Sequence, residues 1–157
     1  MADVQYMSLV SFKISSELYA INIMEVNEII RHTDITPIPN APDFVEGVIT
    51  LRGDIIPIVD LGKRFNFERV TLSEDEELLK GIIIITVEAM TIGVIIDQVN
   101  RVVQINKNQI QPPPQMISGV GAEYIQGVVK MEENLLVILD IKKLFSRKEL
   151  LELSGKI

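Results

Sequence analysis

The chain has no cysteine and no tryptophan, and its one histidine is His32. Without cysteine there are no disulfides and no thiolate metal sites, which suits a reducing compartment. A lone histidine with no nucleophile elbow beside it supplies neither a Ser-His-Asp nor a Cys-His device. Carboxylates at ligand spacing are also missing, so a metal site is not expected, and His32 reads as a surface or loop residue. Gly119-Val120-Gly121 lacks the third glycine of a dinucleotide fingerprint, and no phosphate-binding Gly/Lys loop occurs. Aromatics are only 5%, too few for a base-stacking or sugar-stacking platform. Positive charge is scarce as well, with 15 Lys and Arg against 22 Asp and Glu and a net charge of −7. Nucleic-acid binding needs clustered cations to displace counterions, and none cluster here. The same scarcity disfavours docking to an anionic membrane. The greasiest run, Gly81 to Asp97, is broken by Glu88 and falls short of the roughly 20 apolar residues a bilayer span requires. The first residues show neither a basic stretch nor a long apolar one, so no signal peptide is expected. These absences predict a cytoplasmic protein that is not an enzyme and carries no cofactor.

What the chain does have is apolar residues at 47%, rich in Ile and Val. Branched side chains suit a pleated, half-buried surface, so strands are expected over helices. The chain also repeats itself. Glu46 to Phe65, EGVITLRGDIIPIVDLGKRF, returns at a spacing of 80 as Gln126 to Phe145, QGVVKMEENLLVILDIKKLF. Upstream, Tyr19 to Ile30 matches Ile92 to Val103 at a spacing of 73. Ahead of each lies a strand-like run, Met7 to Ile14 and Gly81 to Val87; in the first, Val10, Phe12 and Ile14 alternate with Ser11 and Lys13. Short turns at Ser15-Ser16-Glu17 and Glu88-Ala89-Met90 reverse each run into the next strand. The second copy carries extra residues within Lys107 to Tyr124, where Pro112 to Pro114 and two glycines predict a long loop.

Each copy thus reads as strand, hairpin, strand, Pro-bearing connection, short helical turn and a closing strand pair. The acidic segment Glu68 to Lys80 reads as a solvated linker. Asp60 and Asp140, where a strand gives way to a helical turn, read as helix N-caps. Gly47 and Gly127 answer a backbone need, either positive φ or close packing. Ser146-Arg147-Lys148-Glu149 is a capping box that opens a C-terminal helix over about 146–155, with Leu150, Leu153 and Ile157 on one face. A half of this length is marginal alone, so two small β-barrels packed together are expected, with terminal pieces exchanged.

The segments Tyr19 to Ile23, Val26 to Ile30, Thr36 to Asn40, Phe44 to Gly53 and Ile56 to Leu61 resemble the CheW family, coupling adaptors of bacterial chemotaxis. The resemblance spans nearly the whole chain and is most specific at Leu51-Arg52-Gly53. It implies a mainly all-β fold of two SH3-like five-stranded barrels that share a hydrophobic core, with short helices. The first subdomain would cover about 15–80, and the second about 1–14 plus 81–145. It further implies a non-catalytic adaptor that joins the helical-hairpin tips of chemoreceptors to the histidine kinase CheA, recruited to receptor arrays at the membrane. Receptor contact would use Val26, Glu28, Arg52, Gly93 and Val102 in a groove between subdomains. Kinase contact would use Ile38, Phe44 and Val45 on the first barrel, and Gln111, Gln115 and Met116 on the second. Val26 and Val102 read equally as plain core. The alternative is a β-barrel sensor of a small ligand, which needs a closed apolar pocket.

The repeat breaks in its charges. Glu28 aligns with Arg101, and Arg52 with Glu132, so each copy has one acid and one base with the signs exchanged. Two ion pairs across adjacent strands are therefore expected, Glu28 with Arg52 and Arg101 with Glu132.

Overall fold

The structure, a computed structural model, describes residues 5–15, 17–65, 71–113, 122–132 and 134–155. Ten strands form in order: β1 (Tyr6–Ile14), β2 (Glu17–Asn22), β3 (Val26–Arg31), β4 (Val45–Leu51), β5 (Asp54–Asp60), β6 (Gly81–Val87), β7 (Met90–Ile96), β8 (Gln98–Asn106), β9 (Ile125–Met131) and β10 (Asn134–Leu139). Among the described residues three α-helices accompany them: α1 (Leu61–Arg64), α2 (Glu74–Glu77) and α3 (Arg147–Gly155). None of the helices among the described residues is long and apolar enough to cross a membrane.

The strands make two five-stranded sheets. Sheet I runs β8-β1-β2-β10-β9 and sheet II runs β3-β6-β7-β5-β4. The orders are the same once the repeat is applied, because β1 to β5 correspond to β6 to β10. Each sheet takes its hairpin from one copy and its other three strands from the other. This differs from the expected division, which placed β2 with residues 15–80 and the β6–β7 hairpin with β1. The links explain the exchange. Only the 3-10 turn Ile23–Glu25 separates β2 from β3, and only Asp97 separates β7 from β8. Links this short carry the chain straight on into the other sheet. Asp97 is fixed there, its N–H donating to Lys13 O at 2.9 Å and its carboxylate accepting from Ser15 N at 2.8 Å.

Alternation along buried strands divides the core into three. In β6, Ile82 and Ile84 face the interior of sheet II with Ile49, Ile56 and Ile58. Ile83, Ile85 and Val87 face the other way, into a cluster with Val10, Phe12, Tyr19 and Ile21 of sheet I. Leu9, Ala20, Val103, Ile105, Val129, Leu136 and Ile138 fill the interior of sheet I. The cluster between the sheets is the shared core that the fold class requires.

The hairpin turns follow their residues. Leu51 pairs with Asp54 and Val87 with Met90, leaving two-residue loops. Arg52 and Gly53 (φ 50° and 86°) and Glu88 and Ala89 (φ 47° and 67°) are all left-handed, the pattern that matches strand twist. Asp60 Oδ1 accepts from Lys63 N at 3.2 Å and Asp140 Oδ1 from Lys142 N at 3.1 Å, capping α1 and the 3-10 turn Ile141–Lys143. At α3, Ser146 N donates to Glu149 Oε1 at 2.8 Å and Glu149 N to Ser146 Oγ at 3.1 Å. Leu150 is buried beneath it; the side chain of Leu153 and all of Ile157 lie outside the described residues. In the described part of the acidic linker, 71–80, the structure is more regular than the charge predicts. Ser73 and Glu76 form a second capping box and α2 grows from it, with all four acids in its first turn, where the helix dipole favours them.

Candidate functional site

Arg52 is held left-handed at the β4–β5 turn, and Glu28 lies on β3. These elements stand at opposite ends of the strand order of sheet II. The pair therefore does not bridge adjacent strands, as expected from the sequence; the curl of the sheet brings its two ends together. Both guanidinium nitrogens Nη1 and Nη2 donate to the carboxylate, Nη1 to Oε2 at 3.2 Å and Nη2 to Oε1. The hydrogen bond from Arg52 holds the Glu28 carboxyl below its ordinary range. A lowered folded pKa stabilises above the unfolded value and loses that stabilisation as pH falls through the folded one. Glu28→Arg and Arg52→Glu should each lower the urea midpoint slightly at pH 7, and the double reversal should recover most of the loss. The recovery should vanish on titration below the ordinary carboxylate range. A double reversal equal to the sum of the singles would mean that the contact contributes nothing.

The second expected pair does not form. Arg101 and Glu132 both line one cleft of sheet I, yet among the described residues no ion pair joins them. Glu132 repeats the left-handed turn of Arg52 (φ 48°), so the turn is conserved between copies. Among the described residues, no ion pair joins the ends of sheet I as Glu28 and Arg52 join those of sheet II.

Val26 and Val102 occupy equivalent kinds of place. Val26 lies on edge strand β3 opposite Ile85, and Val102 on edge strand β8 opposite Val10. Both partners belong to the shared core, so the two valines mark its rim, one from each sheet. Val26 packs partly against that core, whereas Val102 is 58% exposed. Gly93 is not on a surface. It is buried on β7, where an added Cβ would meet Ile58 Cδ1 at 2.5 Å and Ile82 Cγ2 at 2.8 Å. Its backbone must approach that closely for the sheet II interior to close.

Of the other candidates, Val45 is buried in the shared core. Phe44 is half-buried, its ring stacked on Phe145 with centroids 5.9 Å apart. Val45 is therefore already covered within the chain, whereas Phe44 stays partly exposed. Ile38 is partly exposed and Gln111 exposed. Gln111 exchanges backbone hydrogen bonds of 2.9 Å with Val128, as Thr36 does with Val48 at 2.9 and 2.8 Å. Each precedes a proline, which keeps it extended enough to bridge. Gln115 and Met116 lie outside the described residues.

Sequence reasoning missed Arg64. Its Nη2 donates to Glu149 Oε1 at 3.1 Å and to Tyr124 Oη at 3.2 Å, and its Nε to Leu144 O at 3.3 Å. The guanidinium also lies 5.4 Å from the Phe44 ring centroid and 5.2 Å from that of Tyr124. One side chain thus ties α1 to the second copy and to α3. A signal was present: Arg64 aligns with Leu144, the same kind of mismatch as Arg52 with Glu132.

The model of the CheW-like domain matches residues 8–149. This chain belongs to the CheW-like family. It is 48% identical over 147 residues to the chemotaxis protein CheW of Treponema pallidum, covering 94% of this chain and 86% of the relative. It is 35% identical to CheW of Thermotoga maritima, covering 87% and 85%. The crystal structure of the scaffolding protein TtCheW from Thermoanaerobacter tengcongensis superposes with a TM-score of 0.83 at 33% identity, covering 92% and 91%. The CheW-like match spans both sheets, so the exchange of hairpins lies within the matched region.

Proposed function

We propose that the chain is a non-catalytic adaptor that couples chemoreceptors to the histidine kinase CheA in chemotaxis signalling. The observation that carries this reading is the CheW-like match across both sheets. Relatives named chemotaxis proteins and a structural neighbour named a scaffolding protein support it. In this reading the receptor hairpin lies along the rim of the shared core, covering Val26 and Val102 beside the Glu28–Arg52 clasp. An exposed valine contributes to binding only when a partner covers it. The kinase is met elsewhere, by the proline-bearing segments around Ile38 and Gln111. The protein works in the cytoplasm, recruited to receptor arrays. A sensor of apolar ligands would need a closed apolar cavity; aliphatic side chains pack the interior clusters of both sheets, and the cleft over Ser11 is lined by charged groups.

Calorimetric titration of the full chain into the CheA regulatory domain of the same organism should give saturable 1:1 binding. Glu28→Arg and Val102→Glu should leave this binding unchanged, and Ile38→Glu should weaken it about tenfold, roughly 1.4 kcal/mol. Val102→Glu should instead lose binding to a receptor-tip fragment. If a folded chain binds neither partner at high micromolar concentration, the adaptor reading falls.

A further inference from the structure

The inner faces of the two sheets correspond position by position, and one exchange changes what they can hold. Sheet II has Ile84, 2% exposed, where sheet I has Ser11. A hydroxymethyl in place of a branched butyl group leaves space. Next to Ser11, sheet I has a cleft of about 510 Å³ whose lining includes Lys13, Asn100, Arg101, Lys130 and Glu132. That volume falls within the roughly 300–1,000 Å³ of small-molecule sites.

The charges around it have changed too. Lys13 replaces Thr86 and Lys130 replaces Thr50, while Arg101 and Glu132 replace the clasped Glu28 and Arg52. Among the described residues, three cations therefore line the cleft with one carboxylate, in a chain of net charge −7. Glu76 of α2 is held below the ordinary carboxylate range chiefly by its hydrogen bonds with the Ser73 backbone and side chain, with the charge of Lys13 a smaller contribution. Among the described residues, Arg101 and Lys130 make no ion pair. The base of the cleft is ordered: Ser11 Oγ donates to Arg101 O at 2.7 Å and accepts from Asn100 Nδ2 at 3.2 Å. The larger cleft beside α1, about 590 Å³, differs in kind, because its Lys63 and Lys80 already pair with Glu46 and Glu77.

We propose that the sheet I cleft binds a small free polyanion bearing two or more carboxylate or phosphate groups. The Arg101 guanidinium offers a planar fork to one such group, and Lys130 and Lys13 act as point charges for another. The site stands on the chemistry of the cleft alone, so the outcome of the kinase titration does not bear on it.

The test is an amide-shift NMR titration of the full chain with citrate and with pyrophosphate at constant ionic strength. Saturable shifts are expected around Ser11, Arg101 and Lys130, with citrate methylene NOEs to the methyls of Val103 and Leu136. Arg101→Glu combined with Lys130→Glu should weaken binding about a hundredfold, from loss of attraction and added repulsion, which is roughly 2.8 kcal/mol. Ser11→Ile keeps every charge but fills the space as Ile84 does, and should abolish binding. The NOEs on the unmodified chain carry the test if that variant does not fold. Shifts that never saturate overturn the proposal. So does saturable binding without NOEs that a folded Ser11→Ile retains, since it would be surface charge alone. Saturation by a tetraglutamate peptide but by neither small anion also overturns it, and would assign the cleft to a protein partner.

Discussion

Phe12→Ala should lower unfolding free energy by about 3–5 kcal/mol, the usual range for deleting a buried ring and leaving a cavity. Phe12 is 1% exposed on β1, paired with Tyr19 of β2 and with Val99 of β8. Its ring faces the cluster between the sheets, with its centroid 6.3 Å from that of Tyr19. The cavity would open where the hairpin of one copy packs against the hairpin of the other. Total stability of a domain is about 5–15 kcal/mol, so about a fifth or more is at stake. At this length each kcal/mol shifts the midpoint by about 2–4 °C, so a fall of about 6–20 °C is expected in thermal melts. Unfolding should remain one cooperative transition, because both sheets depend on the shared core. A loss under about 1 kcal/mol, or two resolved transitions, would show that the sheets are stable separately.

Gly47→Ala should cost nearly as much, by a different route. Gly47 has φ 147°, and a Cβ there would lie 2.1 Å from the carbonyl oxygen of Thr36. That carbonyl is held by Val48 N at 2.8 Å, so backbone rather than a side chain would have to move. Strain of about 1–3 kcal/mol adds to overpacking of about 1–3 kcal/mol. Gly127 occupies the matching bulge, but an added Cβ would first meet Ile110 Cγ2, at 2.4 Å, with Gln111 O at 3.0 Å. A side-chain methyl yields more easily, so Gly127→Ala should cost less. Equal urea midpoints for the two variants would contradict this ordering.

The strands were legible because their signals are local. Alternation in β1, the unbroken Ile run of β6, the two-residue turns and the aspartate caps each depend on a few neighbouring residues. The α2 capping box was equally local, in Ser73-Glu74-Asp75-Glu76, but the density of charge around it hid the signal. Gly93 and Val45 misled for a different reason. The family resemblance marked their neighbourhood, but burial of one residue depends on strands far away in sequence, here Ile58 and Ile82 against Gly93.

The charge pairs show the limit most clearly. Sign and position are equally complementary in Glu28–Arg52 and in Arg101–Glu132, and only the first pair closes. Arg64 shows the same limit from the other side, since its partners Tyr124, Leu144 and Glu149 lie 60 to 85 residues away. By itself the sequence determined the repeat, the strands, the turns, the caps and the family. Those depend on side-chain period, on backbone preference and on matched residues. The tertiary structure decided which hairpin each sheet recruits, which mouth is clasped and which valines meet solvent. Sister hairpins have compatible patterns, so the choice between them falls to the short links at Ile23–Glu25 and Asp97, and to how both faces of β1 and β6 can be covered at once.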